Sequence, residues 1–70
     1  MIITSSQEFG LALKARRKEL KYTQAFVSEV TGFSSSFISE LENGKETAEI
    51  GKAIYLATML GMDIEIKERK

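Results

Sequence analysis

Residues 23–45, TQAFVSEVTGFSSSFISELENGK, decide the fold of this chain. Thr23 can cap a helix, because its hydroxyl is able to accept a hydrogen bond from a free N–H of the first turn. Gly32 marks the end of that helix, since glycine readily takes the left-handed backbone with which many helices finish. The first part of the stretch therefore predicts a short helix over residues 24–31.

The second part of the stretch predicts another short helix. Ser34 offers a cap and Asn43-Gly44 a stop, so the expected bounds are residues 35–43. Apolar residues recur at spacings that give each helix one buried side. They are Val27, Val30, Phe33, Ile38 and Leu41. Two helices joined by a tight turn around a glycine form a helix-turn-helix, a geometry that DNA-binding motifs share with ordinary helical hairpins.

A longer helix is expected before this pair. Ser5 and Glu8 have the spacing of a capping box, in which both side chains bind backbone N–H groups of the first turn. The buried side would consist of Phe9, Ala12, Leu13 and Leu20. The later turns are basic, with Lys14, Arg16, Arg17, Lys18 and Lys21. This run is either a solvated face that suits the helix dipole or an edge that faces phosphate.

A fourth helix follows the second short helix, with Thr47 as its expected cap and Gly61 at its end. Its buried side is predicted to hold Ile50, Ala53, Ile54, Ala57 and Leu60. A second apolar strip contains Tyr55, Leu56 and Met59. Because two strips are more than a small core needs, the second indicates a protein interface, unless the C-terminal segment folds over it.

The C-terminal residues show the alternation of a half-buried strand. Ile64 and Ile66 alternate with charged residues, which predicts a strand over about residues 62–67. Its partner would be Ile2-Ile3 or the same strand of a second subunit.

Phe26 does not fit the buried side of its helix, so it is either additional core or an exposed aromatic side chain.

Composition restricts the possible functions. The 70 residues form one expected domain, 1–70, with no cysteine, histidine or proline. Without these residues, a Gly-rich phosphate loop or a metal-ligand cluster, we expect no enzyme, metal or cofactor. The sequence also lacks a secretory signal and long apolar runs, which predicts a soluble cytoplasmic protein without membrane contact.

Charge is balanced overall but unevenly distributed. Ten basic and ten acidic residues cancel, which argues against strong sequence-independent binding to phosphate. Residues 14–21 carry five basic residues and one acidic, whereas residues 26–50 carry one basic residue and five acidic. A protein-interaction module that has lost DNA binding therefore remains an alternative to a DNA-binding protein.

Together, LKARRKELKY (13–22), the 23–45 stretch and IGKAIYLATMLGMDIEI (50–66) resemble the Cro/repressor-type (XRE) helix-turn-helix family over nearly the whole chain. Within that family the ending is most similar to HipB-type antitoxins, whose C-terminal strand joins two subunits. The resemblance implies an all-α, lambda-repressor-like domain of four helices with a short C-terminal strand. It implies a homodimeric repressor on a palindromic operator, an antitoxin with a HipA-like kinase as its toxin. A stand-alone regulator without a toxin is the alternative within the family.

The resemblance also assigns roles to residues. The second short helix would be the recognition helix, and Arg17 and Glu42 would form a buried ion pair that ties the first helix to it. The expected DNA-binding residues are Gln24, Ser34, Ser35, Ser36, Ser39, Glu40, Asn43, Lys45, Arg16 and Lys14. The apolar residues expected at a dimer or toxin interface are Phe26, Tyr55, Met59, Ile64 and Ile66.

Overall fold

The computed structural model describes residues 2–70, and the elements in this part of the chain are helices. They are α1 (Ser6–Glu19), α2 (Gln24–Thr31), α3 (Ser35–Glu42) and α4 (Ile50–Met59). The all-α fold expected from the sequence is confirmed. None of the described helices is long and apolar enough to cross a membrane.

The predicted caps define where the first three helices begin. The hydroxyls of Ser5, Thr23 and Ser34 each accept a backbone N–H of the first turn, at 3.1, 3.0 and 3.0 Å. The second bond of the predicted capping box is displaced by one residue. Glu8 accepts from the backbone N–H of Thr4, at 2.6 Å, where a capping box would use the N–H of the cap residue Ser5. This bond and a second one from the Thr4 hydroxyl hold the pKa of Glu8 below its ordinary value.

The turn between α2 and α3 is fixed by side chains as well as by glycine. Gly32 has the predicted left-handed backbone, with φ of 80°. The Ser28 hydroxyl donates to the carbonyl of Phe33 at 2.5 Å. The Thr31 hydroxyl donates to the carbonyl of Val27 at 2.7 Å and accepts from the N–H of Phe33 at 3.2 Å. These bonds set the direction in which α3 leaves the turn.

The start of α4 differs from the expectation. Thr47 does not cap this helix, which begins at Ile50 with Glu49 in the cap position and without a side-chain cap bond. The reason is that residues 46–48 are taken up by a turn, in which the N–H of Ala48 lies 3.4 Å from the carbonyl of Lys45. The end of α4 agrees with the prediction, because Gly61 follows it with φ of 76°.

The core lies between the four helices, and its members are Leu13, Val27, Ile38, Leu41, Ala53, Leu56, Ala57 and Leu60. Three residues predicted to be buried are exposed: Val30 by 50%, Ile50 by 76% and Ile54 by 44%. At about 100° of rotation per residue, Val30 lies about 60° from Val27 on α2, outside the buried side.

On α4 the buried side is rotated from the predicted one. It is centred between Leu56 and Ala57, and Leu56 is only 1% exposed although it was assigned to the outer strip. Ile50 and Ile54 lie on the opposite flank of Ala57 from Leu56. The interface prediction for the outer strip therefore stays with Tyr55 and Met59, which are 47% and 45% exposed.

No strand forms over residues 62–67 or elsewhere within residues 2–70. Ile64 and Ile66 are exposed, and the predicted pairing with Ile2-Ile3 is not made within the chain. Instead, both chain ends, α1 and α4 border an open, mainly apolar groove of about 1220 Å³. Strand pairing across a dimer stays a prediction.

Candidate nucleic-acid interface

Six of the ten residues predicted to contact DNA lie on α3 or at its two caps, Ser34 and Asn43. Ser34, Ser35 and Ser36 lie exposed at its start, and Glu40 follows Ser36 by about one turn. Ser39 is half-buried, and its hydroxyl lies 3.5 Å from the side-chain nitrogen of Asn43. The hydroxyls of Ser35 and Ser36 can therefore donate to or accept from a base edge, whereas that of Ser34 already serves as the helix cap.

Glu40 and Lys45 form an ion pair at the end of this surface. Lys45 Nζ lies 3.3 Å from Glu40 Oε2, with about half of each side chain exposed. The backbone supports the pair, because the N–H of Lys45 donates to the carbonyl of Glu40 at 3.0 Å. In the free protein Glu40, which is predicted to contact a base, is thus paired with Lys45, which is predicted to bind phosphate.

Two glycines let α3 approach α1 closely. A Cβ atom on Gly10 would lie 2.5 Å from the carbonyl oxygens of both Leu41 and Glu42. A Cβ atom on Gly44 would lie 2.8 Å from Cα of Gln7, and Gly44 also has φ of 85°. Only glycine fits such contacts without movement of the backbone, so these two positions set the distance between α1 and the end of α3.

The close approach lets the start of α1 hold the loop that follows α3. The hydroxyl of Ser6 donates to the carbonyl of Gly44 at 2.8 Å. The loop residues Asn43 and Lys45 are therefore placed by α1 as well as by their own helix. Gly10 and Ser6 were not among the site residues predicted from the sequence. An isolated glycine inside an amphipathic helix was the available signal for Gly10.

A buried ion pair joins α1 to α3, as the family resemblance implies. Arg17 Nε donates to Glu42 Oε2 at 2.6 Å and Nη2 donates to Oε1 at 3.0 Å. The third guanidinium nitrogen, Nη1, donates to the carbonyl of Tyr22 at 2.8 Å. Gln24 donates to Glu42 Oε1 at 3.0 Å and brings α2 into the same network. Among the described residues, every buried side-chain nitrogen and oxygen has a hydrogen-bond partner.

The network also determines the charge state of its members. Burial works to raise the pKa of Glu42, but the hydrogen bonds from Arg17 and Gln24 outweigh burial and hold this pKa below its ordinary value. The charge of Lys14 acts in the same direction. The pKa of Arg17 is raised, chiefly because its guanidinium donates to Glu42. Both groups are therefore ionised at neutral pH.

Two residues predicted to contact DNA are engaged elsewhere in the free protein. The side-chain nitrogen of Gln24 is bound to Glu42, so Gln24 positions the network. Arg16 Nε donates to the carbonyl of Leu60 at 2.8 Å, and its Nη1 pairs with Glu19 at 3.1 Å. Arg16 thus ties α1 to the end of α4, a role that its position in a basic run did not reveal.

Exposed aromatic side chains lie within the motif and beside it. Phe26 is 43% exposed and packs on Tyr22, with ring centroids 4.8 Å apart. The ring of Tyr55 packs edge-on against Phe33 at 5.7 Å. All five residues predicted at an interface, Phe26, Tyr55, Met59, Ile64 and Ile66, are exposed in the single chain. Residues 2–70 contain no cluster of three or more carboxylates that could hold a metal ion.

Comparisons with known proteins agree on this motif. Residues 13–67 match the family HTH_3, described as helix-turn-helix. An uncharacterized HTH-type transcriptional regulator of Sinorhizobium fredii, y4mF, is 36% identical over 64 residues, which are 91% of this chain and 84% of the relative.

Solved structures share the fold over its whole length. The HipB-O4 20mer complex contains a chain with a TM-score of 0.89 at 20% identity, covering 100% of this chain and 99% of that chain. A HipA-HipB-O2-O3 complex gives the same TM-score, identity and coverage. At this level of identity the likeness establishes the architecture, and the roles of individual residues have to come from the chain itself.

Proposed function

Because the chain belongs to the helix-turn-helix family of transcriptional regulators, we propose that it is a homodimeric repressor that binds its own operator. The observation that carries this proposal is the rigid placement of α3. Close packing at Gly10 and the buried pair of Arg17 with Glu42 hold the helix, while Ser35 and Ser36 remain exposed on it. A recognition helix needs this combination, since base edges are read only when the helix enters the major groove in a fixed orientation.

The residues on α3 define the expected kind of recognition. Ser35 and Ser36 would contact base edges with their hydroxyls, which discriminate weakly between bases. Glu40 would accept from an amino group, with Ser39 beside it. The loop residues Asn43 and Lys45 and the N-terminal cap residue Ser34 would contact the sugar-phosphate backbone. Modest base contacts imply that two half-sites and the shape of the DNA contribute much of the specificity.

The apolar surface around the groove supports the proposed homodimer. Ile2, Ile54, Ile64 and Ile66 are exposed on the chain ends and α4, and such an apolar surface is typical of an interaction site. Pairing of residues 62–67 from two subunits would bury Ile64 and Ile66 and satisfy the backbone of both segments. A dimer would set two α3 helices about 34–36 Å apart, one turn of DNA, and so favour a palindromic operator.

We further propose that this regulator is the antitoxin of a toxin–antitoxin pair with a HipA-like kinase as its partner. This step is supported by fold likeness to a HipB chain solved together with HipA and DNA. Phe26, Tyr55 and Met59 would supply contacts to the toxin or the second subunit, because they are apolar and exposed beyond the core. Serine substitutions at these three positions that change neither dimer mass nor kinase binding would contradict this assignment.

The repressor proposal is tested by fluorescence anisotropy. The purified protein is titrated against the DNA upstream of its own gene and against a scrambled duplex of equal length, at two salt concentrations. We expect tight, salt-sensitive binding to the upstream DNA and much weaker binding to the scrambled duplex. A folded dimer that binds neither duplex would contradict the proposal and favour a protein-interaction module.

A further inference from the structure

The pair formed by Glu40 and Lys45 combines two residues with opposite effects on DNA binding. It lies on the exposed surface of α3, at 3.3 Å, with side chains 52% and 46% exposed. A phosphate attracts Lys45 and repels Glu40. While the pair is closed it presents no net charge to DNA, so the protein gains no electrostatic binding from Lys45.

Exposed ion pairs of this kind contribute little to stability, and DNA phosphate is a strong competitor for a lysine. The pair can therefore open when DNA approaches. Opening leaves the carboxylate of Glu40 without its cation, in the major groove of DNA and between its phosphates. The cost of that state depends on the base edge that Glu40 meets.

Base edges differ in what they offer a carboxylate. Cytosine presents its N4 amino group in the major groove and adenine presents its N6 amino group, and both can donate to Glu40. Guanine and thymine present carbonyl oxygens there, which repel a carboxylate. Only a base whose amino group lies in the major groove, cytosine or adenine, compensates Glu40 for the loss of Lys45.

We propose that the Glu40–Lys45 pair is a specificity determinant that frees Lys45 for phosphate only on DNA presenting cytosine or adenine to Glu40. The inference rests on the proposed DNA-binding function and names the class of DNA selected by that surface. On other sequences the pair stays closed and the protein loses one phosphate contact. Glu40 thus suppresses non-specific binding through Lys45, in addition to reading a base.

The test compares four variants with the wild type: Glu40→Gln, Lys45→Met, the double variant, and Glu68→Gln. Glu68→Gln is the control: it removes one negative charge, as Glu40→Gln does, but on the exposed C-terminal tail. The side chains of Glu40 and Lys45 are half exposed, so their substitutions are expected to leave the fold intact, which circular dichroism verifies. The affinity of each protein for an unselected library of 30-bp duplexes with randomised centres is measured by anisotropy. The measurement is repeated at salt concentrations from 50 to 200 mM. The library is then carried through repeated selection and sequenced.

On the unselected library, Glu40→Gln should steepen the salt dependence by about one phosphate contact, so that its gain in affinity is about threefold larger at 50 than at 200 mM salt. In the Lys45→Met background the same substitution should leave the slope unchanged. Glu68→Gln should bind with the wild-type slope. After selection, the wild type should enrich cytosine or adenine at one position of each half-site, and Glu40→Gln should alter the preference at that position alone.

Two results would overturn the inference and leave the proposed function standing. One is an enriched motif in which the base preference at every position is the same for Glu40→Gln as for the wild type. The other is an equal effect of Glu40→Gln with and without Lys45, which would mean that the carboxylate acts by its own repulsion from phosphate. A wild-type protein that enriches no motif and binds the library without salt dependence would overturn the proposed function and this inference together.

Discussion

The close contact at Gly10 leads to a prediction in which one substitution has opposite effects at two positions of the chain. Gly10 and Gly51 both lie in helices, and alanine is favoured over glycine in a helix by about 1 kcal/mol. At Gly51 a Cβ atom would meet nothing within 4 Å. Gly51→Ala should therefore raise the free energy of unfolding by about 0.4–1 kcal/mol.

At Gly10 the same substitution meets backbone. The new Cβ would lie 2.5 Å from two carbonyl oxygens and 2.8 Å from the carbonyl carbon of Glu42. Restoring an ordinary contact needs α1 and α3 to separate by roughly 0.9 Å, and such overpacking typically costs about 1–3 kcal/mol. The separation also strains the bonds from Ser6 to Gly44 and from Arg17 to Glu42, each worth about 1 kcal/mol or more. After subtraction of the helix-propensity gain, Gly10→Ala should lower the free energy of unfolding by about 2–4 kcal/mol.

Thermal and urea denaturation at one fixed protein concentration measure both variants. Because 1 kcal/mol shifts the Tm of a domain this small by about 4–8 °C, Gly10→Ala should lower Tm by at least about 8 °C while Gly51→Ala raises it. Equal or higher stability of Gly10→Ala would mean that backbone contact at this glycine does not set the position of α3. The Gly51→Ala control separates that outcome from a general response of the protein to alanine.

The buried ion pair, the titration of Glu42 and the helix caps should each have a measurable effect on stability. Arg17→Met should destabilise the fold by about 3–5 kcal/mol in urea denaturation, because it leaves Glu42 charged and buried without its main partner; a loss below 1 kcal/mol would contradict this. Because the pKa of Glu42 is lower in the folded chain than its ordinary value of 4.5, its stabilisation is complete above that value and is lost as pH falls through the folded pKa. Denaturation at several pH values should thus show stability declining in this acid range, and Glu42→Gln should decline less steeply. Thr23→Ala should lower stability by about 1 kcal/mol, since its hydroxyl caps α2; Thr47→Ala should change it by less than about 0.5 kcal/mol, since that hydroxyl caps nothing, and equal losses would show that the assigned caps are wrong.

The elements that rest on local chemistry were predictable from the sequence. The caps at Ser5, Thr23 and Ser34 and the exit at Gly32 depend on neighbouring residues alone, and the structure has all four. Thr47 shows the limit of that reasoning. Thr47 is a suitable cap residue, but it lies in a turn closed by the hydrogen bond from Ala48 to Lys45, and α4 begins only after that turn.

Properties that depend on how helices pack were harder to predict. Two adjacent apolar strips on α4 are both compatible with burial, and the side facing the core was fixed by neighbours that periodicity does not show. This is why Leu56 is buried while Ile50 and Ile54 are exposed. The hydrogen bonds of Gln24 and Arg16 also join residues far apart in sequence, so their side chains were assigned to DNA from position alone.

We propose that the exposed side of α3 and the loop after it form the DNA-binding surface. NMR titration of the labelled protein with the duplex that it binds best, following each backbone amide, would locate this surface. We expect the largest shifts at residues 34–40 and 43–45, with residues 50–59 of α4 little affected. Shifts concentrated on α4 and residues 62–67, with α3 unchanged, would mean that DNA binds elsewhere on the protein.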